Sequence, residues 1–172
     1  MAAERALVDH SSDLAVLAEP PHLADFEVLL TIRQPLYGIV AKDHPLAGAE
    51  TLRIGACFEY PLAVPEQPNT LRLMLEAMAA QRGMAIEPVV QSDSYEFLLN
   101  YGWSEPVVSF YLPIGLPDGG VLDRRVARPI DARDARPLML YLGKLRNRHL
   151  PVAAARFADQ LTGALMAAHD SD

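Results

Sequence analysis

The sequence has little of what most often announces a function. It holds a single cysteine, Cys57, among 172 residues, which excludes an intramolecular disulfide and every cysteine-pair metal or redox motif. Cys57 therefore reads as a small hydrophobe rather than a reactive thiol. Positive charge is also scarce: 15 Lys and Arg stand against 22 Asp and Glu, a formal charge of −7. Phosphate neutralisation needs a clustered excess of positive charge, so direct nucleic acid contact by this chain is not expected. No apolar run approaches the ~20 residues that span a bilayer, and no membrane association is expected. The stretch from Met1 to His10 lacks the basic and apolar regions of a signal peptide, which predicts a cytoplasmic protein.

Sites with recognisable chemistry are missing as well. His10, His22, His44, His149 and His169 lie far apart, and none has metal-ligand spacing. There is no Gly-x-Ser-x-Gly elbow, no phosphate-binding loop and no dinucleotide fingerprint. Ser94 and Ser109 have no identifiable base beside them. No metal, no cofactor and no enzyme activity are expected.

What is present is a foldable α/β pattern. Hydrophobic residues make up 51% of the chain, enough for a packed core. The 14 prolines predict many short elements with sharp corners. Leu14 to Ala18 reads as a strand buried on both faces, followed by apolar runs at Phe26 to Ile32 and Leu36 to Ala41. Pro61 to Pro65 is a further short strand. Leu71, Met74, Leu75 and Met78 have helical spacing, with Asn69 or Thr70 able to cap the start and Gly83 at a left-handed end.

Ile86 to Gln91 then reads as a strand, and Asp93-Ser94-Tyr95-Glu96 has capping-box form before Phe97, Leu98 and Tyr101. Strands are expected at 107–114, 121–130 and 138–142. A last helix starts at Pro151, with Val152, Ala155, Ala158, Leu161 and Leu165 on one face. Alternating strands and helices predict an α/β fold with mostly parallel sheets.

Three further features stand out. Thr70 and the free amides of the helix it opens form a polar, anion-accepting spot directly after a buried strand, although plain capping fits the same residues. Tyr95, Phe97, Tyr101, Trp103, Phe110 and Tyr111 crowd half of the aromatic residues into 17 positions, as core or as the wall of an apolar pocket. Between Asp123 and Arg148, eight basic residues face three acidic ones, which fits a solvated surface or an anion or partner site.

Asp13-Leu14-Ala15-Val16, the tract Pro35-Leu-Tyr-Gly-Ile-Val-Ala-Lys-Asp-His-Pro-Leu-Ala-Gly48, Tyr60 to Val64 and the ending Leu150 to Leu161 together resemble the effector-binding domain of LysR-type transcriptional regulators. The resemblance covers nearly the whole chain. It implies a periplasmic-binding-protein-like fold of two α/β lobes, with a small effector between them and sensing by lobe closure. Mapped on this sequence, lobe I holds residues 1–38 and 134–172, and lobe II holds 39–133. The crossover strands would be Tyr37 to Lys42 and Arg125 to Ile130, with Ile39, Val40, Val126 and Ala127 as hinge residues.

By the same resemblance, Thr70, with Asn69 beside it, matches the hydroxyl-bearing start of a helix that touches an effector carboxylate. Ala18 sits where the family has a second contact, here without a hydroxyl. Phe110 and Pro113 would form the apolar wall. The family also implies a homodimer. The chain starts inside the second helix of lobe I and holds no helix-turn-helix, so it reads as an N-terminally truncated regulator whose DNA contact belongs to a missing domain. Uncovered apolar faces are expected around Leu14 and Leu140, with lobe II the more stable. A stand-alone solute-binding module of the same fold and a small α/β enzyme are the rival readings.

Overall fold

The computed structural model describes residues 2–101, 106–116 and 124–169. The chain divides into two compact units, residues 1–34 with 138–172 and residues 35–137. These boundaries fall at Gln34/Pro35 and Pro137/Leu138, a few residues from the expected 38/39 and 133/134.

Unit 1 is built on a three-stranded sheet. Its strands are β1 (Ala15–Leu17), β2 (Phe26–Gln34) and β8 (Leu138–Leu145), in the order β1-β8-β2 with both pairings antiparallel. Helix α1 (Ala2–Val8) packs its buried Leu7 with Ala15, Leu17 and Phe26. The Glu4 carboxylate ties α1 to the loop before β2 by accepting the amides of His22 at 2.8 Å and Leu23 at 3.1 Å. Those two hydrogen bonds hold its pKa below the usual carboxylate range. The long helix α5 (Val152–His169) packs against β2 and buries Ala158. Its first hydrogen bond runs from the Ala155 amide to the Pro151 carbonyl, so Pro151 sits just before the helix, where its missing N–H removes nothing.

Gly143 is required where β8 passes β2. A Cβ at this position would collide with the Phe26 ring and with the Glu27 carbonyl oxygen. The missing side chain leaves the space that the Phe26 ring occupies.

Unit 2 contains β3 (Tyr37–Ala41), α2 (Ile54–Cys57), β4 (Leu62–Pro65), α3 (Thr70–Ala80), β5 (Val90–Ser92), α4 (Tyr95–Asn100), β6 (Val108–Tyr111), a 3-10 turn (Pro113–Gly115) and β7 (Arg125–Pro129). Its sheet has the order β5-β4-β6-β3-β7. β4 runs parallel to β5 and β6, whereas β3 is antiparallel to β6 and β7. Every residue of β4 and of β6 is buried, because each strand carries a core on both faces. One face sends Val40, Leu62, Val64, Val108 and Phe110 against Leu71, Leu75 and Met78 of α3. The other sends Ile39, Ala63 and Tyr111 against Leu98 of α4.

The unit 1 sheet is antiparallel and the unit 2 sheet mixed, which corrects the expectation of mostly parallel pairing. Helical crossovers connect β4 to β5 through α3, and β5 to β6 through α4, so that β5 and β6 flank β4 and both run parallel to it. β1 is likewise not buried on both faces: it is an antiparallel edge strand with Val16 48% exposed. Leu140, expected to be uncovered, is buried, and Val16 and Val28 are the exposed apolar residues of this sheet. Val152 is exposed rather than part of the packed face of α5. The strand expected at 107–114 stops at Tyr111, where Pro113 opens the 3-10 turn. Trp103 and the turns expected at 102–105 and 117–120 lie outside the described residues, as does the first part of the strand expected at 121–130.

An ion cluster closes one end of unit 2. The Asp134 carboxylate accepts from Arg53 Nε at 2.6 Å and Nη2 at 2.9 Å, from Arg82 Nη2 at 3.0 Å and from the Ile54 amide at 3.0 Å. Asp134 thus caps α2 from 80 residues away. The Arg53 hydrogen bond is the chief cause that brings its pKa down to about 2.

Candidate functional site

The parallel strands of unit 2 end together, and the residues that follow them collect at that carboxyl edge. In open α/β sheets this edge is where ligands bind. After β4 the chain turns through Gln67-Pro68, a cis peptide, into the start of α3. Asn69 is the true N-cap: its Oδ1 accepts the Leu71 amide at 2.9 Å and the Arg72 amide at 3.4 Å. Its Nδ2 donates to the Tyr95 hydroxyl at 3.0 Å, which joins the start of α3 to the start of α4. Thr70, one residue on, is exposed at the first turn of the helix.

Tyr95 opens α4 directly after β5. Ser94 rather than Asp93 is the cap here, its Oγ accepting the Phe97 amide at 3.1 Å. With Ser94 as the cap the third helical residue is Phe97 rather than Glu96, so the expected capping box is replaced by a plain serine cap. Tyr95 stacks edge-on against Tyr111 of β6 with ring centroids 5.7 Å apart. The Tyr111 hydroxyl donates to the Tyr95 carbonyl oxygen. Burial is the first cause that raises the Tyr111 pKa well above the usual tyrosine value, so this hydroxyl stays a donor. Arg72, buried in the first turn of α3, donates from Nε to Glu76 at 2.6 Å and from Nη1 to Gln91 of β5 at 3.4 Å.

The structure brings together some of the residues singled out from sequence and separates others. Asn69 and Thr70 stand side by side at the α3 start, with Tyr95 bonded to Asn69. Pro113 follows β6 on the same carboxyl edge and is partly exposed. Phe110 is 1% exposed and stacks edge-on with Phe58 at 6.2 Å, so it is core on the α3 face of the sheet. Strand alternation explains this, since Ser109 and Tyr111 take the opposite face. Ala18 follows β1 in unit 1 and is half-buried. Ile39 pairs with Ala127 and Val40 with Val126 in the β3–β7 ladder, inside unit 2 rather than at its boundary with unit 1.

Tyr95 was not singled out as a site residue by sequence reasoning, which saw only its aromatic cluster. The available signal was its position one residue inside a helix that follows a parallel strand. Among the described residues no group of His, Cys, Asp and Glu could hold a metal ion. Cys57 is fully buried in the α3-side core, where burial pushes its thiol up to about 12, so it stays protonated. No helix among the described residues is long and apolar enough to cross a membrane.

What this arrangement can do is hold a small polar ligand. The first turn of α3 offers amide dipoles, the Thr70 hydroxyl is free to face solvent, and the Tyr95 hydroxyl supplies an aromatic-edged polar group.

Comparison with known proteins agrees with this architecture. The chain is similar to the RuBisCO operon transcriptional regulator of Allochromatium vinosum, 28% identical over 85 residues that make up 49% of this chain and 28% of that protein. It superposes on HinK, a LysR family transcriptional regulator from Pseudomonas aeruginosa, with a TM-score of 0.68, 18% identity, and coverage of 95% of this chain and 57% of that one. It superposes on the Synechocystis PCC6803 CcmR regulatory domain, solved in complex with 2-PG, with a TM-score of 0.69, 22% identity, and coverage of 94% of this chain and 77% of that one. The chain thus spans well under two thirds of the first two relatives. The LysR substrate binding domain matches residues 2–166, and the chain belongs to that family.

Proposed function

We propose that this chain is the effector-sensing segment of a LysR-type transcription regulator, and that its effector is a small carboxylate or similarly compact anion. The observation that carries the reading is the hydrogen bond between Asn69 and Tyr95, which sets a helix start, a hydroxyl and a tyrosine at one carboxyl edge. The Thr70 hydroxyl at the positive end of the α3 dipole receives the anionic group, the Leu71 and Arg72 amides being already taken by Asn69. Asn69 positions Tyr95, and Pro113 supplies apolar surface backed from within the core by Phe110.

The chain acts by binding rather than by catalysis, because no paired nucleophile and base stand at this edge among the described residues. The net charge of −7 fits a sensor that does not itself touch DNA. In this reading the protein is cytoplasmic and works as a homodimer, with DNA contact supplied by a different domain.

Isothermal titration calorimetry with a panel of small carboxylates and their neutral amides tests the proposal. A saturable carboxylate signal, absent with the matching amide and weakened about tenfold by Thr70→Val, is the expected result. A preferred ligand whose affinity is untouched by both Thr70→Val and Tyr95→Phe would place the site elsewhere.

A further inference from the structure

Arg125 opens β7 and is 5% exposed, yet its charge is unanswered. Its Nη1 donates to the Ser109 hydroxyl at 3.3 Å, a long bond to a neutral partner. Its Nη2 is buried and has no hydrogen-bond partner among the described residues. Desolvation is the leading influence on this guanidinium, and no described carboxylate faces it. A buried charge with one weak neutral contact is costly, and an arginine cannot shed its proton to avoid that cost. Native proteins rarely leave such a group unsatisfied without an ion or a function to explain it.

Strand alternation shows which face it occupies. Arg125 pairs with Ala41, and it shares the α4 side of the sheet with Ile39, Ser109, Tyr111 and Ala127. Ser109 is fully buried and accepts from Arg125, so its own proton can be given to a further acceptor. Two donors with no acceptor among the described residues, Nη2 and the Ser109 hydroxyl, therefore belong to side chains bonded to each other on one buried face. Ile39, Ala127 and Tyr111 share this buried face, so a guest held there has to be compact rather than a metabolite.

We propose that Arg125 and Ser109 form an internal site for a compact monovalent anion, of halide or formate size, inside unit 2. The site is separate from the carboxyl edge at Asn69 and Thr70 and does not depend on the reading given there. It holds the guanidinium in place between β6 and β7, and occupancy stabilises the α4 face of the sheet, to which Tyr95 is joined through Tyr111.

The test uses the whole chain, with chloride exchanged against gluconate at constant ionic strength and bromide as the crystallographic probe. The expected result is a saturable rise of the melting temperature with chloride and an anomalous bromide peak within hydrogen-bond distance of Arg125 Nη2. Arg125→Met should abolish both, and Ser109→Ala should weaken chloride binding several-fold. Equal chloride dependence in wild type and Arg125→Met overturns the proposal. So does a bromide-soaked crystal with no peak at this point, or one in which a carboxylate of the chain occupies it. If Arg125→Met does not fold, unchanged chloride affinity in Ser109→Ala overturns the proposal and a several-fold loss sustains it.

Discussion

The two units solve the same problem, a sheet that must be covered, by different means. Unit 2 has a five-stranded sheet with a core on each face, and its central strands β4 and β6 contain no exposed residue. Unit 1 has three antiparallel strands, and its described core gathers around Leu7, Ala15, Leu17 and Phe26. It is held as well by polar ties: Glu4 on the His22 and Leu23 amides, Arg148 on Asp13 at 2.6 Å, and Lys144 on Glu27 at 2.9 Å. Apolar burial contributes about 1.5–3 kcal/mol per large side chain, whereas exposed ion pairs contribute ~0–1 kcal/mol. Unit 2 should therefore be the more resistant to local opening, as native-state hydrogen exchange would show.

The sharpest way to break that difference is to open the α3-side core. Leu75 is fully buried, and Leu75→Ala should cost about 2–5 kcal/mol of unit 2 stability, read from urea midpoints. In unit 1 the corresponding weak point is Gly143. Gly143→Ala drives a methyl group into the Phe26 ring and the Glu27 carbonyl, a loss of about 1–3 kcal/mol, with faster amide exchange confined to β1, β2 and β8. Equal slowing or loss across both units would mean that they unfold as one.

Acid should weaken unit 2 through Asp134. Its folded pKa is about 2 against an unfolded value of 3.8, so its contribution is present above the unfolded value and is lost as pH falls toward 2. Asp134→Asn should cost about 1–2 kcal/mol at pH 7 and flatten the acid limb of a denaturation profile. A milder effect belongs to His44, whose Nδ1 accepts the Leu46 amide at 3.0 Å and must therefore be unprotonated. Burial lowers its pKa, so its contribution is present above about pH 6.5 and fades as pH falls through the folded value. Exchange of the Leu46 amide should quicken over that range. The smallest effect is expected for Lys144→Met in unit 1, within ~1 kcal/mol by thermal melting.

Much of the local structure was legible in the sequence. Helix α3 could be read because Leu71, Leu75 and Met78 repeat at helical spacing between a polar cap and Gly83, whose φ of 68° suits a residue without a side chain. The strand runs were legible from their β-branched content, and the family from the tract around Asp43-His44-Pro45. The site was only half legible. Thr70 and Asn69 were visible as a helix start, but Tyr95 was not, because its link to Asn69 joins residues 26 positions apart. Phe110 was misplaced as a pocket wall because strand alternation does not say which face is the core.

Sequence alone determined the α/β class, the element order, the family and the absence of metal-ligand and nucleophile motifs, since these depend on periodicity and on residue types at short spacing. Tertiary structure decided the rest. Whether strands run parallel depends on the connections between them, and this left one sheet antiparallel and the other mixed. Which residue caps α2 depends on a carboxylate 80 residues away. That Arg125 is buried without a charged partner among the described residues follows only once β7 is paired with β3 and its side chain is turned toward Ser109. Such facts are long-range by nature, because burial and pairing are properties of neighbours in space rather than neighbours along the chain.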